Sequence, residues 1–123
     1  MHSTQSFRDL QVWQRAMDFV EAIYTVTATF PRDERFGLTA QIRRAAVSIP
    51  SNIGEGKRRK RRGPLLNHLD IALGSQGEVD VQLEIAKRVG FLKPSDYRRL
   101  ASLIDEIGRM LNGLIASLEP QDR

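Results

Sequence analysis

The residues Lys57-Arg58-Arg59-Lys60-Arg61-Arg62 set six positive charges in succession near the middle of a 123-residue chain. Like charges packed this densely repel one another, so a structural role alone gives no reason for them. They form a local anion-binding surface, and nucleic acids are the commonest polyanions in a cell. The chain carries 19 Lys and Arg against 15 Asp and Glu; without the run, 13 cations face 15 carboxylates. The calculated pI of about 10.0 therefore comes from one short segment. No aromatic residue flanks the run, so its contacts would go to phosphates and carry little sequence information. Arg43 and Arg44 are candidates to extend the patch, with ion pairing to Glu78 or Glu55 as the competing use. Two other readings of the run are a solvated connection between helices and, in a eukaryotic cell, a localisation signal. A membrane-surface role lacks the flanking apolar face it needs.

The remaining polar residues do not assemble a reaction centre. His2 falls in an N-terminal tail that the sequence leaves without order, and His68 sits beside Leu66 and Leu69, as a surface or half-buried histidine does. Glu55, Asp70, Glu78, Asp80 and Glu84 supply carboxylates, but no Glu-x-x-His spacing exists to build a di-metal bundle site. Ser51 to Arg58 imitates a phosphate-binding loop and fails twice. Ser51 stands in place of the first glycine, and Arg58 in place of the magnesium-binding Ser or Thr. With no cysteine there is no thiolate chemistry and no disulfide. No serine has a histidine with which to form a nucleophile–base pair. The residues point to a non-enzyme with no metal and no cofactor.

Hydrophobic content of 41% and charged content of 28% are ordinary for a globular chain, and the length suits one domain over residues 1–123. No apolar stretch reaches the ~18–20 residues that span a bilayer. Met1 to Ser6 has neither a basic nor an apolar signal region, which leaves the cytoplasm as the expected compartment.

Four helical patterns position the charged run, at about 8–30, 34–56, 64–89 and 94–119. In the first, Leu10, Trp13, Met17, Val20, Tyr24 and Thr27 alternate at three and four residues. Ala16, Ile23 and Phe30 widen that stripe, and Val12, Phe19 and Val26 widen it further, to an arc of roughly 160°. One groove needs less, so Val12, Phe19 and Val26 are candidates for contact with another subunit. Pro31 stops this helix. Phe36, Leu38, Ile42, Ala45, Ala46, Ile49 and Ile53 continue in the second, which Pro50 should kink near Ala46.

Gly54, Gly56 and Gly63-Pro64 punctuate the middle of the chain and make the basic run a connection. Leu65, Leu69, Ala72, Gln76, Val79, Leu83 and Ala86 mark the third helix. Its Gly74, Ser75 and Gly77 would be explained by close approach of a neighbour. Gly90 is placed as its terminating residue, with Phe91 packing behind it. Pro94 opens the fourth helix, whose Tyr97, Leu100, Ile104, Ile107, Leu111, Leu114 and Leu118 repeat without a fault, and Pro120 ends it. Strand patterns are absent. The expected fold is all-α, an antiparallel up-down four-helix bundle with its second helix kinked at a proline.

Phe7-Arg8-Asp9-Leu10-Gln11-Val12-Trp13-Gln14 resembles the opening of the bacterial four-helix-bundle family named for proteins encoded in intervening sequences of 23S ribosomal RNA genes. Phe36 to Ile53 is similar to that family's most distinctive motif, and Gly74-Ser75, Glu78 and the fourth helix also match. Gly54 departs from the motif's usual alanine, which would end the second helix earlier. The resemblance covers nearly the whole chain and implies a homo-oligomer, with a pentamer favoured. It also relates the chain to the accessory protein of diversity-generating retroelements, which binds nucleic acid and associates with a reverse transcriptase. The combined expectation is an oligomeric accessory protein that binds RNA, DNA or a hybrid through Lys57–Arg62. The alternative is an adaptor whose basic loop binds an acidic protein surface.

Overall fold

The computed structural model describes residues 6–119, so His2 and Pro120 lie outside the described residues. Four helices, α1 (Gln11–Thr27), α2 (Leu38–Arg59), α3 (Arg62–Arg88) and α4 (Pro94–Leu118), account for most of them, and no strand occurs among them. Each helix packs on two others, in the cyclic order α1, α2, α3, α4. Along α2 and α3 the contacts run in opposite directions: Asn52 meets His68, and Ser48 meets Ser75. The same holds for α3 and α4, where Gln76 reaches Ile104 and Glu84 reaches Tyr97. The helices enclose one apolar core, with Phe19, Ile42, Ile53, Leu83, Ile104 and Leu111 fully buried.

The first helix differs from its expected form at both ends. Leu10 is extended (φ −75°, ψ 127°), which separates a 3-10 turn at Phe7–Asp9 from α1. Ser6 caps that turn by accepting from the Arg8 N–H at 3.1 Å. The detour folds Phe7 back onto Trp13, ring centroids 5.2 Å apart. At the other end Thr27 and Thr29 turn their hydroxyls onto the carbonyls of Ile23 and Val26, at 2.7 and 2.8 Å. Such back-bonding competes with the helix ladder. The helix stops at Thr27, before Phe30 and Pro31.

α1 also buries a different face from the one expected to. Val12, Ala16, Phe19, Ile23 and Val26 form the buried stripe. Val12, Phe19 and Val26 are therefore core residues of this chain and are not free for another subunit. The outer flank is Trp13, Met17, Val20 and Tyr24.

α2 begins where the Glu34 carboxylate accepts from the Leu38 N–H at 3.0 Å, satisfying one of the free donors of a helix start. It runs through Pro50 without a break, although Pro50 has no N–H to offer Ala46. It also runs past Gly54 and Gly56 to Arg59, so the glycines do not end it early. α3 closes as the sequence leads one to expect. Gly90 takes φ +87°, the left-handed region that favours glycine, and the Phe91 N–H reaches the Ala86 carbonyl at 2.9 Å. Near that end Tyr97 of α4 donates to Glu84 at 2.8 Å. Hydrogen bonds from Arg88 and then Tyr97 hold the Glu84 carboxyl down to about 2.

Close approach of helices occurs at glycines other than those expected. Gly74 and Gly77 face open space, and nothing in the structure explains them. At Gly56 an added Cβ would lie 2.8 Å from the His68 Cβ and 3.2 Å from Leu65 Cδ1. At Gly108 it would lie 2.6 Å from the Gln76 amide. Gly56→Ala should therefore destabilise the fold by about 1–3 kcal/mol, the usual cost of overpacking. Gly77→Ala should stabilise it by about 1 kcal/mol through helix propensity. Urea unfolding midpoints moving in these opposite directions would bear out the placement of the two glycines.

Candidate nucleic-acid interface

The basic run is not a loop. Lys57, Arg58 and Arg59 form the last turn of α2, Lys60 and Arg61 make the corner, and Arg62 opens α3. The three α2 cations face a helix C-terminus, where positive charge is favoured by about 0.3–1 kcal/mol each. Arg62 and the adjoining Arg61 face a helix N-terminus, where the same effect opposes them, and no acidic residue lies in the first turn of α3. Lys60 adopts φ 59°, the one non-glycine residue with positive φ among those described. A side chain in that region costs about 1–2 kcal/mol. The corner thus holds cations where local backbone and dipole energetics would prefer glycine or an acid.

Two of the six are engaged within the chain. Arg59 donates to the Glu55 carboxylate at 2.8 Å, and that bond is the main cause holding the Glu55 carboxyl below its ordinary range. The Arg59 pair therefore persists on acidification below the usual carboxylate titration. Arg62 donates to the Leu118 carbonyl at the end of α4, supplying a partner for one of the acceptors a helix terminus leaves open. Lys57, Arg58, Lys60 and Arg61 have no ion pair among the described residues. Lys57, Lys60, Arg61 and Arg62 line a cleft of about 390 Å³ with Leu65 and Leu118. Arg58 turns the other way, to the rim of an apolar groove of about 540 Å³ that includes Phe7, Trp13, Val20 and Pro50. Ser51 to Arg58 is helical throughout, so no phosphate-binding loop forms there.

Arg43 and Arg44 do not join this corner. They sit roughly 20 Å back along α2, given the helical rise of about 1.5 Å per residue. Both border a cleft with Tyr24 and Arg35, on the side of α2 that faces the end of α1. Arg43 donates to the Thr27 hydroxyl at 2.8 Å and lies over the Tyr24 ring, 4.4 Å from its centroid. Arg44 borders a polar cleft with Gln41, Ser48, Ser75 and Glu78. Neither forms the ion pair with Glu78 or Glu55 that was its alternative use. The patch is smaller than the sequence suggested.

His68 is half-buried, with Nδ1 2.9 Å from the Asn52 side-chain amide oxygen, Oδ1. Asn52 donates in turn to the Ser48 hydroxyl at 3.1 Å, and Ser75 donates to the same hydroxyl at 2.8 Å. These bonds knit α2 to α3 and bring no serine hydroxyl to the imidazole. No group of three or more His, Asp or Glu among the described residues is placed to hold a metal ion.

The family model for the 23S rRNA-intervening sequence protein matches residues 8–113. The chain belongs to that family. A crystal structure from Bacteroides thetaiotaomicron, of a protein with unknown function from the S23 ribosomal protein family, superposes with a TM-score of 0.79. It is 25% identical, and the match covers 85% of this chain and 95% of that one. No curated protein matches the chain. No helix among the described residues is long and apolar enough to cross a membrane.

The cost at Lys60 can be measured. Lys60→Gly should raise stability by about 1 kcal/mol, since glycine takes the left-handed region freely. A midpoint shift of that sign in urea, with unchanged helix content by circular dichroism, is the expected outcome.

Proposed function

We propose that this family member is a non-enzymatic nucleic-acid-binding protein that grips phosphates through the α2–α3 corner. The observation that carries the proposal is that Lys57, Arg58, Lys60 and Arg61 have no ion pair among the described residues, and that one of them is held in an unfavourable backbone conformation. Phosphate oxygens would supply the negative charge that the corner lacks, and the free N–H groups at the start of α3 favour the same sign. Arg59 and Arg62 act mainly within the fold, through Glu55 and Leu118. The family's description, which refers to 23S rRNA, makes RNA the first ligand to try.

The proposal includes a homo-oligomer, with five subunits as the number the family resemblance implies. Two apolar surfaces on different sides of the chain support it. One is the groove of Phe7, Trp13, Met17, Val20 and Val47. The other is the outer face of α3, where Ile71, Val81, Ile85 and Val89 are exposed. Two unlike surfaces suit a head-to-tail contact that closes into a ring, in which weak phosphate contacts combine by effective concentration.

Replacing Lys57, Arg58, Lys60 and Arg61 by glutamine should lower affinity for RNA at least tenfold at moderate salt while preserving helicity and sedimentation mass. Equal binding by this variant would overturn the phosphate-contact proposal. Nuclease-resistant binding to an acidic protein, lost in the same variant, would establish the adaptor alternative instead.

A further inference from the structure

Away from the corner, the region where α1 ends and α2 begins gathers aromatic rings and guanidinium groups on the surface. Phe36 is 84% exposed and Tyr24 is 44% exposed. The Arg35 guanidinium lies 4.9 Å from the Phe36 centroid, and that of Arg43 lies 4.4 Å from the Tyr24 centroid. Arg35, Arg43 and Arg44 line one cleft of about 430 Å³ with Tyr24, Thr39 and Val47. The hydrogen bond from Arg43 to Thr27 fixes its plane, so this half of the surface is set before any ligand arrives.

A single exposed apolar residue is ordinary. Phe36 is not alone, because its neighbours are planar cations and not a hydrophobic patch. Arg32, Arg35, Arg43 and Arg44 have no ion pair among the described residues. Of the nearby acids, Glu34 is committed to the start of α2, which leaves Asp33 as the acid within the linking segment. The local charge is positive.

We infer that this surface binds unpaired bases of a single-stranded nucleic acid, stacking them on Phe36 and the Arg35 and Tyr24–Arg43 planes. Aromatic faces beside cations are how proteins hold single strands, because every base offers a π-face and every nucleotide a phosphate. An acidic peptide would use the arginines and gain nothing from an open phenyl face. A duplex hides its bases and cannot stack. The inference rests on the nucleic-acid reading above, but it uses no residue of the Lys57–Arg62 corner. It gives the protein a preference for single strands that the corner alone cannot supply.

The test is titration of the full chain with a short single-stranded RNA carrying 2-aminopurine, and with its duplex. Phe36→Ala, a change at a solvent-exposed ring, should weaken single-strand binding about five- to 150-fold. It should leave the salt slope and duplex binding unchanged, and Phe36→Trp should restore affinity. Unchanged single-strand affinity in Phe36→Ala would overturn the inference while leaving the corner reading intact. Loss through Phe36→Ala without loss in the four-residue corner variant would uphold the inference and refute the corner. A Phe36-dependent affinity for polyglutamate with none for RNA would overturn it in favour of an acidic protein partner.

Discussion

The close seating of α2 on α3 at Gly56 controls the end of the bundle that carries the charge. A side chain at Gly56 would come closer to the His68 Cβ and to Leu65 than van der Waals contact allows, so only hydrogen lets the two backbones approach there. That approach permits a connection of two residues, Lys60 and Arg61, between helices of 22 and 27 residues. It also sets the bonds from His68 to Asn52 and from Ser75 to Ser48 in register. With the corner so tight, the six cations cannot spread as they would on a flexible loop. Repulsion that a loop would relax is instead fixed on a helix-ended scaffold.

The direction of each cation follows from that scaffold. Arg59 and Arg62 turn back to Glu55 and Leu118 and help hold the helix ends. Arg58 lies toward the groove on the α1 side, and Lys57, Lys60 and Arg61 surround the end cleft. The same run thus splits between holding the fold and meeting a ligand. Arg43 and Arg44 belong to a second region, where aromatic rings replace dense charge. The two regions lie at opposite ends of α2 and differ in chemistry, one suited to phosphates and the other to exposed bases.

Much of this was legible in the residues. The α4 stripe and the Gly90–Phe91 ending depend on local spacing and a single backbone conformation, and both stand as expected. α1 misled because an apolar arc of roughly 160° contains two possible stripes. Only the fold of Phe7 over Trp13, through the extended Leu10, marks the Trp13 side as the outer one. Gly54 and Gly56 look like helix breakers in a sequence, whereas both are buried inside α2 against Phe7 and against α3. Arg43 and Arg44 share a cleft with Arg35 and Tyr24, but it lies roughly 20 Å from the corner along α2, so lying on the same helix did not join them to the run. Phe36 gave a signal that periodicity absorbed into the α2 stripe, although it stands before the helix and outside the core.

The central claim is that the corner binds by neutralising phosphates, and the salt dependence of RNA affinity tests it most directly. The four cations Lys57, Arg58, Lys60 and Arg61 of each subunit, engaging a single strand, should give a log–log slope of about −3 for each corner occupied. A slope near zero between low and moderate salt would contradict it.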